Sequence, residues 1–173
     1  LNWSILYDHS TNVEFKKWKL KKFKKVQKKK NVISLSVDEL IKLTRMEFDD
    51  KSLMNAKDCF IFSCYTGLRH SDLQNLKKTD IFDDYIMLTT VKTADPLKIY
   101  TDIYAKAILE KYKDMPGPDA LPTVENQNAN RHIKEVCRLA GFDDKVTTVK
   151  FIGNKRIDTV KFKWQKIGTH TGR

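Results

Sequence analysis

The 173 residues include three cysteines, Cys59, Cys64 and Cys137. Their number is odd and their spacing is not that of a zinc site, which argues against a disulfide framework and against a Cys/His metal centre. Small buried thiols in a reducing compartment are expected instead. A glycine-rich phosphate loop and a paired-carboxylate motif are also missing, so no metal or nucleotide cofactor is expected. Apolar runs stay well short of the roughly 20 residues that a bilayer-spanning helix needs. The opening segment Leu1–His9 has neither a basic leader nor an uninterrupted apolar stretch, which argues against a secretory signal. The first residue is not methionine, and a fragment or processed chain is expected. Internal repeats are absent too.

What the chain has is positive charge, unevenly placed. The formal net charge is +11, and residues 1–32 hold ten lysines against Asp8 and Glu14, or +8 of that total. Trp18, Leu20, Phe23 and Val26 interleave with the lysines. A solvated basic tail is one reading. A linker lying against nucleic acid is the other, with Lys16, Lys17, Lys19, Lys21, Lys22, Lys24 and Lys25 as backbone contacts to double-stranded DNA. An anionic membrane surface is less favoured because the apolar residues are few. Hydrophobic content of 40% and this length suit one main soluble domain.

The pattern beyond the linker is mainly α with small β-hairpins, an α+β arrangement. Ser36-Val37-Asp38-Glu39 is a capping box ahead of Leu40, Ile41 and Leu43 at helical spacing. Residues 52–65 read as a buried helix. Tyr85–Thr90 and Leu97–Thr101 are β-prone runs around an Asp95-Pro96 turn, which puts Lys92 at or near a hairpin tip. Amphipathic helices follow at Ile103–Tyr112 and Asn126–Ala140. Val146–Ile152 and Arg156–Phe162 form a second hairpin turning at Gly153-Asn154. The last residues, Thr169–Arg173, read as the start of another helix.

The central stretch is Tyr65-Thr66-Gly67-Leu68-Arg69-His70-Ser71-Asp72-Leu73-Gln74-Asn75-Leu76. Gly67 suits the left-handed position just past a helix end. Ser71 and Gln74 have the spacing of a capping box for the short helix that follows. Arg69 then sits at a helix-to-helix corner, where a held guanidinium offers forked donors to two phosphate oxygens. Taken alone, Arg69 reads better as a cap of the preceding helix. The pattern T-G-L-R-x-S-D-L-x-x-L resembles the first arginine box of the tyrosine site-specific recombinases. Lys92 and the terminal His170-Thr171-Gly172-Arg173 fall in the order that family uses. The resemblance covers roughly residues 33–173 and is similar in style to integrases of Bacteroides-type mobile elements.

The resemblance implies a catalytic set. Arg69 and Arg173 would clamp the scissile phosphate, Lys92 would protonate the leaving 5′ oxygen, and His170 would exchange protons with phosphate and nucleophile. Asp72 matches the acidic residue that supports the first arginine and is expected to be structural. Lys98 is a weaker candidate for the role of Lys92, and a solvated turn lysine is the competing reading of Lys92 itself. His9, His70 and His132 have no assignable partners and are expected on the surface. The resemblance also implies an organisation: residues 1–15 as the remnant of an N-terminal core-binding domain, 16–32 as the basic linker, and 33–173 as a catalytic domain.

In the family the covalent nucleophile is a tyrosine downstream of the H-x-x-R box. It is expected outside this chain, with Tyr100, Tyr104 and Tyr112 in the wrong places to replace it. The implied activity is cutting and rejoining DNA through a 3′-phosphotyrosyl link, without cofactor, with self-association on DNA and a cytoplasmic, nucleoid-associated location. Two other readings remain open at this point: a DNA-binding module without chemistry, and a type IB topoisomerase-like enzyme.

Overall fold

The computed structural model of the protein describes residues 33–152 and 155–172, and of residues 150–152 the backbone only. The expected core-binding remnant, the lysine-rich linker with its seven candidate DNA contacts, the Gly153-Asn154 turn, His9 and Arg173 lie outside the described residues.

Helix α1 (Val37–Arg45) begins at the expected capping box. Ser36 Oγ accepts the Glu39 N–H at 3.2 Å, and Glu39 Oε2 accepts the Ser36 N–H at 2.7 Å. The Glu39 carboxylate also takes Lys163 Nζ at 2.6 and 2.7 Å, which ties the first helix to the segment after the last strand. Burial would raise the Glu39 pKa, but the Lys163 and Ser36 hydrogen bonds outweigh it and the carboxyl lies below its usual value.

Helix α2 (Lys51–Thr66) is the centre of the core. Its residues from Ala56 to Ser63 are all buried, and a helix buried all round needs neighbours on every side. The burial includes a charged pair. Lys57 Nζ donates to the Met46 carbonyl at 2.6 Å, while Asp58 receives Lys111 Nζ at 2.7 Å and the Tyr112 hydroxyl at 2.8 Å. Such a group is tolerated in a core only when partnered in this way. Phe60, Ile61 and Phe62 supply much of the apolar mass.

Five-residue helix α3 (His70–Gln74) and a short 3₁₀ turn (Lys78–Asp80) lead to the first hairpin. Strands β1 (Tyr85–Thr89) and β2 (Pro96–Tyr100) pair antiparallel, from Tyr85 opposite Tyr100 to Thr89 opposite Pro96. Ile86 and Leu88 face the core, while Met87 and Tyr100 face out, as the period of two requires. Helix α4 (Ile103–Lys111) starts at Asp102, whose carboxylate accepts the Ala105 N–H at 2.7 Å. Helix α5 (Asn126–Leu139) buries Ala129, Ile133, Val136 and Cys137. Helices α1, α4 and α5 all pack on α2.

Strands β3 (Lys145–Ile152) and β4 (Lys155–Phe162) form the second hairpin, paired throughout. It is present as the sequence predicts, yet Val149, Ile157 and Val160 are exposed. Among the described residues its alternation has no core to face. The architecture is therefore mainly α with two small antiparallel sheets. Among the described residues, no helix is long and apolar enough to cross a membrane.

Candidate functional site

Helix α2 ends at Gly67, which has φ of 69° and donates its N–H to the Ser63 carbonyl at 2.9 Å. A β-carbon is disfavoured in that conformation, so glycine suits the break in direction. Leu68 plugs into the core beside it. Arg69 occupies the cap position of α3 in extended conformation, with its side chain one-third exposed. The corner holds the guanidinium at the surface, where it can meet a ligand.

Helix α3 starts at His70 rather than at the Ser71–Gln74 capping box, and no side chain caps it. The expected box does not form because Gln74 is engaged elsewhere: its Oε1 accepts the Val124 N–H at 2.8 Å, in the loop before α5. Gln74 thereby joins two ends of the fold.

Asp72 is buried and touches both sides of the site. Its Oδ2 lies 3.7 Å from Arg69 Nη1, and its Oδ1 accepts the Val91 N–H at 2.8 Å. Val91 immediately precedes Lys92, so one carboxylate spans the arginine corner and the lysine loop. Within that loop Thr90 donates its N–H to Asp95 O at 3.0 Å and shares a 2.8 Å contact with the Thr93 hydroxyl. Lys92 stands exposed on the turn. Asp72→Ala would leave the Val91 N–H without its acceptor, at a cost of about 1–3 kcal/mol. The expected result is a lower denaturant midpoint together with faster amide exchange at residues 90–95. Unchanged exchange in that loop would show that Asp72 does not hold it.

Lys98 is placed differently. Its Nζ sits 3.9 Å from the Tyr85 ring centroid and 5.1 Å from that of Tyr100, a cation–π position on the outer face of the hairpin. It does not line the concavity described below, whereas Lys92 does.

The segment before the terminal box folds as a turn, not as the expected new helix. Thr171 donates its N–H to Gly168 O at 2.8 Å, and the Gly168 N–H donates to Thr171 Oγ1 at 3.1 Å. Two amides of α5 reach across to it. Asn130 Oδ1 accepts the Thr169 N–H at 3.0 Å, and Asn126 Oδ1 accepts the Thr169 hydroxyl at 3.1 Å. A β-carbon at 168 would lie 2.5 Å from Asn130 Oδ1, so a larger residue there would displace that side chain from its seat.

These elements converge on one concavity of about 320 Å³, lined by Arg69, His70, Ser71, Lys92, Asn126, Thr169 and His170. Three of the four residues expected to act on phosphate thus share one surface, and the fourth, Arg173, is outside the described residues. The lining carries a guanidinium, an ammonium and two imidazoles, with no carboxylate among the described residues. Such a surface suits an anion with several oxygens.

His70 is the chief surprise. It is half-buried, and its Nε2 is buried without a partner among the described residues, whereas the sequence suggested an ordinary surface position. Its place as the first residue of α3 turns it inward beside Arg69. His132 is likewise half-buried, with Nε2 3.2 Å from Arg131 Nη2. Burial pushes the His70 pKa down, and nearby His170 adds to this, against a raising hydrogen bond with the Val124 backbone. The unfolded chain then binds a proton at His70 at a pH where the folded chain does not. Stability should therefore fall as pH drops through about 6.5, the unfolded value. Melting temperatures between pH 8 and 5.5 should show that slope, and His70→Asn should flatten it; an equal slope in the variant would contradict the assignment.

The described tyrosines are occupied. Tyr112 donates to Asp58 at 2.8 Å, and burial followed by that hydrogen bond drives its pKa far up. Tyr65 stacks on Tyr104 with centroids 4.9 Å apart, and Tyr100 meets Tyr85 edge-on at 6.4 Å. No described tyrosine lines the concavity. The cysteine thiols are all pushed up to about 12 by burial, with Cys59 and Cys137 buried and Cys64 half-buried.

No family model and no curated protein matches this sequence. Solved structures do match its shape. The lambda integrase catalytic core aligns with a TM-score of 0.51 at 20% identity, covering 77% of this chain and 78% of that one. A lambda integrase dimer bound to a COC′ core site aligns at 0.55 and 22%, covering 81% and 52%. XerA recombinase aligns at 0.53 and 21%, covering 66% and 45%. The fold is that of a tyrosine recombinase catalytic domain. At these identities the likeness is one of fold, and the chain spans about half the length of the longer integrase chains it matches.

Proposed function

We propose that this chain carries the phosphate-binding part of a DNA-breaking and -rejoining site, as the catalytic domain of a site-specific recombinase of integrase type. The observation that carries the proposal is the convergence of Arg69, Lys92 and His170 on one basic concavity within this fold. A scissile phosphodiester gathers charge on its non-bridging oxygens as it is attacked. Arg69 would neutralise that charge, Lys92 would protonate the departing 5′ oxygen, and His170 would move a proton at the phosphate or the attacking hydroxyl. Arg173 is proposed to complete the clamp. Asp72 supports the pair without touching the substrate.

The attacking oxygen is proposed to come from a tyrosine outside these 173 residues, giving a 3′-phosphotyrosyl link that keeps the bond energy for rejoining. The DNA-bound lambda integrase dimers among the structural relatives support double-stranded DNA as the partner and self-association on it. An integrase of a mobile element fits better than a topoisomerase, because the T-G-L-R-x-S-D box at Thr66–Asp72 is of integrase type. A DNA-binding module without chemistry would not need an ammonium and an imidazole facing the arginine.

The test is covalent capture on a nicked suicide duplex. The 173-residue chain should give no adduct, since none of its described tyrosines reaches the concavity. The same chain extended by its downstream coding sequence should give a 3′-linked adduct. An adduct formed by the 173 residues alone would overturn the placement of the nucleophile and send attention to Tyr65, Tyr100 and Tyr104.

A further inference from the structure

The hydrogen-bond directions around Thr169 can be read outward from one unambiguous donor. A backbone N–H can only donate, so the atom of Asn130 that meets the Thr169 N–H at 3.0 Å is its oxygen. The Asn130 nitrogen is then the donor that faces Asn126, at 2.7 Å from its carbonyl and 3.0 Å from its side chain. The structure sets the Asn126 side-chain oxygen against that nitrogen, where a second amide nitrogen would oppose donor to donor. The Asn130 nitrogen also lies 3.4 Å from Thr169 Oγ1, as a further donor to it. The Asn126 oxygen lies 3.1 Å from Thr169 Oγ1, and only the Thr169 hydroxyl has a proton for the contact.

A hydroxyl has a single proton. Once it is given to Asn126, Thr169 Oγ1 has only lone pairs to offer His170 Nδ1, which lies 3.3 Å away. A nitrogen held against lone pairs must carry the proton itself. We propose that Asn126 and Asn130 are positioning residues: through Thr169 they fix the neutral His170 imidazole with its proton on Nδ1 and its lone pair on Nε2. Two features of the sequence agree with this clasp. The two asparagines are four residues apart, on one face of α5, and Gly168 leaves the space that the Asn130 carboxamide fills.

The consequence deepens the phosphate-clamp reading and rests on it. A histidine that exchanges protons with a phosphate or a hydroxyl must present the correct nitrogen. With Nδ1 committed to Thr169, Nε2 is the nitrogen left for the concavity that His170 lines, able to take a proton from an attacking hydroxyl. The opposite tautomer would present a donor there and could not act as a base. Asn126 lines the same concavity, so the device sits beside the group it orients.

Long-range ¹H–¹⁵N spectra of the histidine-labelled chain, recorded without DNA where the imidazole is neutral, read the tautomer directly. The His170 signal is assigned by its loss in His170→Gln. The expected result is the Nδ1–H form in the unaltered chain. In Asn126→Ala the Thr169 hydroxyl is released to donate to Nδ1, and His170 should shift to the Nε2–H form. Asn126→Asp keeps the acceptor oxygen and should retain Nδ1–H. Should Asn126→Ala fail to fold, Thr169→Val removes the acceptor and should likewise lose the Nδ1–H preference. An Nε2–H form in the unaltered chain, or an unchanged tautomer in the folded variants, overturns the proposal. Because no DNA is present, a failure here is distinct from a failure of the phosphate-clamp reading, which DNA capture and binding decide.

Discussion

Arg69→Ala in a chain extended to include the proposed downstream tyrosine should slow strand cleavage by about 10²–10³-fold, the usual cost of losing one charge-stabilising donor aimed at a transition state. The expectation follows from where the side chain is held. Gly67 turns the chain, Leu68 anchors it, and Arg69 caps α3 with its guanidinium 3.7 Å from a buried Asp72 carboxylate. Little rearrangement is then needed when charge develops on the phosphate. Arg69→Lys should recover only part of the rate, because an ammonium cannot offer the planar fork to two oxygens. Single-turnover cleavage on a suicide duplex provides the rate. Thermal melting should change little, since the side chain is one-third exposed and closes no core. A variant with unaltered cleavage would remove Arg69 from the clamp.

Removing residues 1–32 should weaken duplex binding and flatten its salt dependence. The segment holds ten lysines and +8 of the net +11 charge, which leaves a nearly balanced remainder. Each neutralised phosphate contributes about −0.9 to the slope of log affinity against log salt. If half of those lysines meet phosphates, the slope should fall in magnitude by roughly 4–5. Titrations between 50 and 200 mM salt with the full and shortened chains give both slopes. Equal slopes would show that the segment does not contact DNA. The concavity should keep its own, smaller contribution, because Arg69 and Lys92 remain.

The parts of the fold that were legible in the sequence are those with local causes. The Ser36 capping box, the left-handed Gly67, the apolar face of α5 and the period-two strands each depend on neighbours within a few residues. The parts that were hidden depend on partners far along the chain. Gln74 looked like a capping residue because its spacing from Ser71 is right, but Val124, fifty residues on, takes its oxygen. His70 looked solvated because nothing in the sequence shows that α3 turns it toward the loop and terminal segment. The different settings of Lys98 and Lys92 also depend on the strand register. Pairing of Met87 with Lys98 sets that ammonium between two tyrosine rings, while Lys92 stays on the loop. Asn126 and Asn130 had no motif at all, and only their reach to Thr169 gives them a role.

Arg69, Lys92 and His170 are proposed to receive a DNA phosphate together. Titrating the isotope-labelled chain with a short duplex, while following the Arg69 Nε–H, the His170 imidazole and the amides of the Val91–Thr93 turn, tests this most directly. These signals should shift together and saturate at one duplex concentration, and Arg69→Ala should suppress the shifts at His170 and the turn. Contradiction would come from signals that stay still while the duplex binds and shifts gather elsewhere, for example on the outer hairpin face of Tyr85, Met87 and Tyr100.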